Sequence, residues 1–500
     1  MELKYLFNSL PFIKPEMVLA AVLVVIVIAD LILSKKKDLL HYLAIAGIIV
    51  AGYFVLEQFS ITASVFSTSG NKGMLTVDSL GAFFKGLVLT ASFFVFLFSI
   101  SSKEINEAKE RLGEYYALLF GMILGMFFMI SASDFILIYV AMEMVSLSSY
   151  VLAGITKQSY RNSEASLKYL IYGGVSSGIM LFGISLIYGL TGSTNLYEIN
   201  SLLHAPDANK LILLLAGLMV FAGIGYKISA APFHFWTPDV YEGAPITITA
   251  FLSVASKAAG FALLIRFIKV TFLQSSVNGY WQLLPAIDWK LILVAIAVLT
   301  MTLGNFAALW QDNLKRMLAY SSIAHAGYML TGIAVLSNQG LVSVLVYFAI
   351  YAFTNLGAFL IIMLISNKIG SEDIEDFNGL GYASPFLGVC FAIFLISLTG
   401  LPPMGGFVGK LYLFIALLDA KMFTVAVIMV LNSVVSLYYY IRVLKHMFIK
   451  KPLGDTPVEI KTSFANAVVV LALAAPVLIL GLYFTPLVEF AKSSISVFGL

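Results

Sequence analysis

The stretch that decides the fold is Thr399-Gly-Leu-Pro-Pro-Met-Gly-Gly406, which interrupts the long apolar segment 383–419. Proline removes a helical backbone hydrogen bond and glycine weakens a helix. Inside a bilayer, such a break is tolerated only where it packs against protein or lines a water-filled cavity. The stretch therefore predicts a broken transmembrane helix. Ala231-Pro232, at the end of the apolar segment 209–231, predicts a second broken helix.

The composition around these breaks is that of a membrane protein. Hydrophobic residues make up 60% of the 500 residues and charged residues only 11%, and the mean hydropathy is +0.96. A soluble domain is typically about 25% charged. The first apolar run, 17–33, is too long for the core of a signal peptide, so we interpret it as an uncleaved span. We expect an integral, all-α membrane protein without a soluble domain.

Polar breaks divide the chain into about fourteen predicted spans of sufficient length to cross a bilayer. Their limits are 16–34, 39–58, 79–101, 113–132, 134–155, 166–190, 209–231, 245–268, 290–310, 316–336, 340–366, 383–419, 422–443 and 464–487. We group them as three N-terminal helices (1–112), a first five-helix repeat (113–270), a second five-helix repeat (290–448) and a final helix (464–487).

Positive charge is distributed unevenly over the loops between these spans. With the N-terminus outside, 17 of the 30 Lys and Arg residues fall in inner loops and 5 lie within spans. Outer segments hold the other eight, which are Lys4, Lys14, Lys72, Lys210, Lys269, Lys290, Lys421 and Lys492. Because inner loops carry the excess of Lys and Arg, and the span count is even, we expect both termini outside.

Several charged residues fall within the predicted spans. Glu143, Lys227, Lys257 and Lys410 lie in spans five, seven, eight and twelve. A charge at a helix centre costs roughly 2.5–3.5 kcal/mol on insertion scales, so such residues are rare and usually functional. Two alternatives remain open: a buried ion pair that only locks helices together, and snorkelling to the membrane interface. Snorkelling applies best to Lys85 and Arg266, which lie nearer span ends.

The spacing of these residues suggests an internal repeat. Glu143 and Lys227 are 84 residues apart, and His325 and Lys410 are 85 apart. Each lysine also adjoins a Pro/Gly break, and interrupted segments in corresponding places of two halves indicate transport sites in repeat-built carriers. Since five spans form each repeat, the two copies would be inverted in the membrane.

His325 has two interpretations. Its unperturbed pKa near 6.5 suits proton transfer, but a neutral imidazole bonded between helices is an equal alternative. Tyr438, Tyr439 and Tyr440 in span thirteen are interpreted as packing or interfacial aromatics, with a water path as the lesser alternative.

Other features of the sequence exclude several functions. The net charge of +3 gives no reason to expect a nucleic-acid partner. The single cysteine, Cys390, excludes an internal disulfide and a cysteine-held zinc or iron–sulfur site within this chain. The chain also lacks a phosphate-binding loop and a dinucleotide-binding glycine fingerprint. We therefore expect no cofactor and no metal in this chain.

Three runs of sequence resemble a known family. They are Lys227-Ile-Ser-Ala-Ala-Pro-Phe-His-Phe-Trp-Thr-Pro-Asp-Val-Tyr-Glu-Gly-Ala-Pro245, Ala319-Tyr-Ser-Ser-Ile-Ala-His-Ala-Gly-Tyr328 and Leu398-Thr-Gly-Leu-Pro-Pro-Met-Gly-Gly-Phe-Val-Gly-Lys410. They are similar to signatures of the antiporter-like subunits of proton-pumping NADH–quinone oxidoreductase (respiratory complex I). The form of the first run resembles subunit N. Lys410 differs from the Glu usual in the M type, and because the last predicted span ends near residue 487 we expect no long lateral helix of the L type. Gly405 stands where Ala is more usual.

The resemblance implies a proton-translocating module of a multi-subunit complex in a bacterial inner membrane, with periplasmic termini. L-type and M-type subunits, small membrane subunits and a hydrophilic redox arm would be its partners. NAD, FMN, iron–sulfur clusters and quinone would belong to the assembled complex.

We expect the charged residues to form a proton relay. Glu143 would stabilise the charged form of Lys227, and weakening that pair would release a proton through Lys257 and His325 to Lys410. One opposite charge at 4 Å is worth about 4 kcal/mol at an effective dielectric of 20. Two other functions stay open: a subunit of a multi-subunit cation/proton antiporter, and a structural membrane subunit whose buried charges only pack.

Overall fold

The computed structural model describes residues 7–33, 36–67, 72–156, 160–204, 209–452 and 459–499. Three lysines counted in the loops, Lys4 on the outer side and Lys35 and Lys157 on the inner side, lie outside these ranges. The C-terminal Leu500 also lies outside them. The described residues are predominantly helical.

The first half of the described chain contains twelve α-helices. They are α1 (Lys14–Ile32), α2 (Leu39–Gln58), α3 (Ser79–Ser101), α4 (Lys103–Glu107), α5 (Leu112–Ser131), α6 (Phe135–Ala153), α7 (Tyr160–Thr191), α8 (Leu196–Leu203), α9 (Lys210–Ile228), α10 (Trp236–Gly243), α11 (Ile246–Phe251) and α12 (Lys257–Phe272). A π-helical segment, Leu252–Ser256, joins α11 to α12.

The second half continues in the same way. Its helices are α13 (Trp289–Ala308), α14 (Leu314–Ala334), α15 (Asn338–Ile369), α16 (Leu380–Ala383), α17 (Pro385–Thr399), α18 (Gly405–Asp419), α19 (Phe423–Phe448), α20 (Phe464–Leu482) and α21 (Thr485–Ser493). Short 3₁₀ turns lie at Leu10–Ile13, Lys109–Arg111 and Ile374–Phe377.

Twelve helices within the described ranges are long and apolar enough to cross a membrane. The chain is therefore a multi-pass membrane protein. The helix α14 is 21 residues long but too polar to be counted, and α17 and α18 have only 15 residues each. For these reasons the count of fourteen spans remains a prediction.

The predicted break in span twelve is confirmed. The helix α17 ends at Thr399, Gly400 adopts a left-handed φ of 89°, and α18 begins at Gly405. A Cβ added at Gly406 would lie 1.8 Å from the carbonyl oxygen of Ser397, so only glycine allows this approach. The two half-helices therefore approach each other closely at Ser397 and Gly406, while residues 401–403 between them are exposed in the isolated chain.

The predicted break in span seven is confirmed as well. The helix α9 ends at Ile228, Ser229 adopts a left-handed φ of 61°, and α10 begins at Trp236. The backbone N–H of Ala231 donates to the hydroxyl of Thr300 on α13 at 2.9 Å. The backbone group freed by the break is thus bonded to a neighbouring helix, as a low-dielectric interior requires.

A third irregularity was not predicted. The predicted span 245–268 contains the π-helical turn Leu252–Ser256, directly before Lys257. No proline or glycine lies in this turn, so the sequence carries no local signal for it. Single π turns inside α-helices are frequently found at functional sites.

The core lies around α11, α12 and α15. All of α11–α12 and nearly all of α15 are buried, whereas α1, α7 and α20 are mostly exposed in the isolated chain. The helix α14 packs against α13, α15 and α18. Lys257 on α12 therefore lies in this core, and His325 lies on α14, which packs against it.

The all-helical architecture is accompanied by two short hairpins. The strand β1 (Ala63–Val65) pairs antiparallel with β2 (Leu75–Val77), with Ala63 opposite Val77, and β3 (Leu273–Val277) pairs with β4 (Tyr280–Leu283). Both hairpins lie in connections between helices. They form no sheet that could replace a helical layer.

Lys85 and Arg266 do not snorkel to a surface. Lys85 Nζ lies 2.6 Å from Glu16 Oε1 and donates to Gln58 Oε1 at 3.0 Å. Arg266 donates to both oxygens of Asp78 at 2.9 and 3.0 Å. All four ionic side chains are buried. These pairs join the three N-terminal helices to one another and to α12.

We expect Glu16→Ala to destabilise the N-terminal helices, because it leaves the Lys85 ammonium buried without its counter-charge. Breaking a buried pair costs about 3–5 kcal/mol, whereas replacing both partners by apolar residues is often neutral. Thermal inactivation of the detergent-extracted assembly measures the effect. Glu16→Leu combined with Lys85→Met should restore stability relative to Glu16→Ala. Equal stability of Glu16→Ala and wild type would show that the pair contributes nothing.

Candidate functional site

The candidate site contains four buried basic side chains, and the three lysines among them lie beside irregular points of the fold. Lys227 is in the last turn of α9, before the first break, and Lys257 is the first residue of α12, after the π turn. Lys410 is in α18, just after the second break. His325 is in the middle of α14. All four are at most 7% exposed.

Lys227 approaches the face of α6 that carries Glu143. Lys227 Nζ donates to the hydroxyl of Ser146 at 3.1 Å, and Ser146 is one turn after Glu143. The hydroxyl of Ser177 on α7 donates to the Glu143 carboxylate. No ion pair within 4.0 Å joins Glu143 to Lys227, and Glu143 is only half-buried in the isolated chain. The carboxylate still acts electrostatically on the Lys227 ammonium. A shared, fully buried site remains a prediction.

Lys227 is also adjacent to the helix of Lys257. A Cβ added at Gly260, one turn after Lys257, would lie 2.6 Å from Ile228 Cγ2 and 3.6 Å from Lys227 Cβ. The absence of a side chain at Gly260 therefore lets α9 approach α12. The two lysines lie on helices in direct contact.

Lys257 is held by α14. Its Nζ donates to the carbonyl oxygen and to the hydroxyl of Ser322, both at 2.8 Å. Ser322 and His325 are three residues apart, so they share one face of α14. The contacts of Lys257 therefore lead along that face of α14 to the imidazole of His325.

His325 contacts two tyrosine hydroxyls. Its Nδ1 lies 2.6 Å from the hydroxyl of Tyr347 on α15, and its Nε2 lies 3.2 Å from the hydroxyl of Tyr440 on α19. Tyr440 also shares a short hydrogen bond with Ser321. Each partner can both donate and accept, so the imidazole has a partner in either tautomer.

Lys410 completes the series. Its Nζ donates to the carbonyl oxygen of Thr399 at 2.7 Å and lies 4.7 Å from the ring centroid of Tyr328. Thr399 is the last residue of α17, where the helix dipole is negative, and an aromatic face also attracts a cation. Tyr328 is three residues after His325, and the two rings are 5.7 Å apart. The face of α14 therefore extends from Lys257 to Lys410.

Sequence reasoning missed the neutral partners of the basic groups. Ser322 could have been found from its helical spacing to His325, but Ser146, Tyr347 and Tyr440 come from distant helices. Tyr439 donates to Asn305 on α13 at 3.0 Å, and Asn305 donates to Tyr328 at 2.8 Å. Of the three adjacent tyrosines, only Tyr438 is exposed. Tyr439 and Tyr440 are therefore buried and hydrogen-bonded, and a water path along them stays a prediction.

The spacing argument for a repeat receives no support from the positions of the two lysines. Lys227 precedes its break, whereas Lys410 follows its break. The two residues do not occupy equivalent places, so their matched distances from Glu143 and His325 do not by themselves indicate a repeat. The inverted repeats remain a prediction.

The site consists of groups that are chemically able to bind or donate protons. Amines, an imidazole, hydroxyls and one carboxylate lie along it. Each of these groups can take up or release a proton, or can donate or accept a hydrogen bond. Within the described ranges, no cluster of three or more His, Cys, Asp or Glu side chains could hold a metal ion.

The sequence of this chain is similar to those of known proteins. Residues 132–436 match the family model described as "NADH:quinone oxidoreductase/Mrp antiporter, TM". The chain is 46% identical to NADH-quinone oxidoreductase subunit N 2 of Chloroherpeton thalassium, over 97% of this chain and 94% of that protein. It is 42% identical to NADH-quinone oxidoreductase subunit N of Chlorobium chlorochromatii, over 98% and 96%.

A solved structure agrees. A chain of respiratory complex I from Thermus thermophilus is 29% identical, with a TM-score of 0.77 over 96% of this chain and 100% of that chain. The resemblance to subunit N is therefore confirmed. The matched region contains all five candidate residues, Glu143, Lys227, Lys257, His325 and Lys410. This chain belongs to the NADH:quinone oxidoreductase/Mrp antiporter family of transmembrane proteins.

Proposed function

We propose that this chain is the N-type subunit of an NADH–quinone oxidoreductase and translocates protons across the membrane. The observation that carries the proposal is the face of α14 formed by Ser322, His325 and Tyr328. It connects Lys257 at 2.8 Å with Lys410 above the Tyr328 ring. A line of buried basic groups with neutral partners suits proton transfer better than packing, because packing alone favours paired charges.

The relay begins at Glu143. Its charge favours the ammonium form of Lys227, which sits one helical turn away on Ser146. When a neighbouring subunit changes the surroundings of Glu143, the Lys227 ammonium loses that support and releases its proton. The half-exposed position of Glu143 suits such control, because a partner could reach it.

The proton then moves towards Lys257 and along α14. The buried hydroxyls of Tyr241 and Tyr351 lie near Ser322 without a well-formed hydrogen bond, and water can satisfy them. His325 passes the proton between its two tyrosine partners, and Lys410 delivers it to the outer side. Each step links groups whose geometry is already within or near hydrogen-bond reach.

Redox chemistry belongs to partner subunits in this proposal. NAD, FMN, iron–sulfur clusters and quinone bind in the hydrophilic arm and its junction with the membrane arm. L-type and M-type subunits and small membrane subunits adjoin this chain. The exposed apolar faces of α6 and α7, with Leu147, Leu170 and Phe182, are suitable for a protein or lipid neighbour.

The orientation follows from the charge bias. The chain spans a bacterial inner membrane about fourteen times, with both termini on the periplasmic side. In this orientation the connection that contains α4 and the N-terminal end of α14 faces the cytoplasm.

A subunit of a cation/proton antiporter complex is the second candidate, since the matched family includes Mrp antiporters. It predicts the same relay without a redox arm. The two proposals therefore differ in what the chain assembles with.

Capture of this chain from detergent-extracted membranes through an N-terminal tag tests the proposal. We expect a particle that contains flavin and iron and reduces quinone with NADH, because this chain supplies no redox group itself. Flavin fluorescence, iron content and NADH oxidation are the measurements, and membranes with the untagged chain are the control. A stable particle with cation/proton exchange but no flavin would favour the antiporter alternative.

A further inference from the structure

The cytoplasm-facing connection contains a carboxyl group that the relay described above does not use. Glu104, in α4, is half-buried although it lies in a loop region rich in exposed charges. Its Oε2 accepts a hydrogen bond from the backbone N–H of Ile246 at 2.9 Å. Ile246 begins the continuous helical segment Ile246–Phe272 that carries Lys257. Glu104 is thus attached to the helix of the central lysine.

Glu104 borders water on one side. It lines a cavity of about 350 Å³ at this end of the molecule. The other charged side chains that line the cavity are Lys103, Glu107, Arg161, Glu372 and Asp373. Lys315 on α14 lies 2.9 Å from Glu372 and also acts electrostatically on Glu104. Protons from the bulk can therefore reach the Glu104 carboxyl through a polar opening.

Hydroxyl groups adjoin Glu104 on the other side. Tyr115 on α5 lies within electrostatic reach of Glu104, donates to Thr247 at 3.2 Å and lies 2.7 Å from the hydroxyl of Ser99. All three hydroxyl side chains are buried. Hydroxyls can donate and accept at once, so this group can carry a proton inward from the carboxyl.

Polar groups continue from Thr247 towards Lys257. The two residues are ten positions apart, or roughly 15 Å along a helix. Between them, Asn355 Nδ2 donates to Ser253 at 2.6 Å. The other amide atom, Asn355 Oδ1, and the Ser256 hydroxyl are buried without a protein partner. Buried polar atoms of this kind are usually satisfied by water, which would connect the segment.

We propose that Glu104 is the residue through which this subunit takes up protons from the cytoplasmic side for delivery to Lys257. The inference rests on the proposed proton-translocating function. Burial raises the pKa of the Glu104 carboxyl above its usual range, while the Lys315 ammonium opposes that change. A carboxyl that titrates nearer to neutral pH is better suited to exchange protons at the operating pH.

Glu104→Gln is the decisive variant. Glutamine has the same size and can still accept the hydrogen bond from Ile246, but it cannot bind a proton. If Glu104 only positions the helix, Glu104→Gln should behave as wild type. If Glu104 takes up protons, coupled NADH oxidation in inverted vesicles should slow at least about twofold, and most strongly at alkaline external pH, where protons are scarce.

Glu110→Gln, an exposed carboxylate on the same side of the membrane, is the matched control. Glu104→Asp, which keeps a carboxyl, should recover part of the rate. Amounts of assembled complex are measured in parallel. Wild-type rate and wild-type proton-to-electron ratio for Glu104→Gln at every pH would overturn the inference. If Lys257→Ala also pumped normally, the relay itself would fail, so the two failures are distinguishable.

Discussion

Lys227→Ala should slow proton pumping by the assembled complex at least about fivefold, while assembly stays largely intact. The reason is that Lys227 Nζ joins α9 to α6 through Ser146, so the loss of the amine opens a gap at the start of the relay. A positioned proton donor contributes on the order of 10²–10⁴ in rate. Water in the gap and neighbouring subunits reduce the observed loss below that range.

Glu143 variants separate charge from contact. Glu143→Ala removes the charge that acts on Lys227 and should approach the effect of Lys227→Ala. Glu143→Asp keeps the charge and should retain more activity. Ser177→Ala removes only the hydroxyl that donates to the carboxylate, so we expect a smaller effect than that of Glu143→Ala.

Exposed residues of the same types provide the controls. Lys290→Ala at the start of α13 and Glu114→Ala in α5 remove exposed charges and should leave pumping unchanged. Dye quenching in inverted vesicles, normalised to assembled complex and to NADH oxidation, is the measurement. Normal rates and ratios for both Lys227→Ala and Glu143→Ala would mean that these charges only stabilise the bundle.

The helix breaks could be predicted because their causes are local. Proline and glycine in 399–406 and at 231–232 determine where α17 and α9 end, whatever packs around them. The π turn before Lys257 has no such local cause. The π turn and α11 pack against α3 and α15, which are distant in sequence, and a single sequence does not reveal that packing.

The candidate residues could be predicted because charge inside a span is costly wherever it occurs. Their partners could not, because Ser146, Tyr347 and Tyr440 are unremarkable residues in apolar segments and meet the basic groups only after folding. The matched distances along the sequence leave the repeat a prediction, because Lys227 precedes its break whereas Lys410 follows its break.

The surroundings of Glu104 could not be predicted from the sequence either. In the sequence it is one of several acidic residues in a charged loop, and nothing separates it from Glu107 or Glu110. Its burial and its bond to Ile246 appear only in the folded chain. Burial, more than residue type, therefore separates the candidate groups from the solvated charges.

Lys257→Arg should lose most pumping although it keeps the positive charge. Lys257 donates two hydrogen bonds to Ser322 of α14, both at 2.8 Å. It lies in a wholly buried helix. A guanidinium does not release its proton near neutral pH, so a relay through this position would stop. We expect a fall of at least about tenfold in pumping rate.

Overpacking is the competing explanation, because arginine is larger and buried positions tolerate added volume poorly. Lys257→Gln, which is neutral and no larger than lysine, should also lose pumping if proton transfer is what matters. It should retain pumping if only volume matters. Lys269→Arg is the control on the same helix, because Lys269 Nζ lies 5.1 Å from the Trp281 ring centroid and arginine can replace it there.

The combined outcome decides between relay and packing. A relay predicts that Lys257→Arg and Lys257→Gln both fail, that Lys269→Arg is normal, and that Ser322→Ala is only partly impaired, since the Ser322 carbonyl still accepts from Lys257. Packing alone predicts that charge retention in Lys257→Arg preserves activity once the complex assembles. Pumping rates per assembled complex, measured for all four variants in inverted vesicles, distinguish these patterns. Wild-type pumping in Lys257→Arg would exclude proton release from this position and, with it, the central step of the relay.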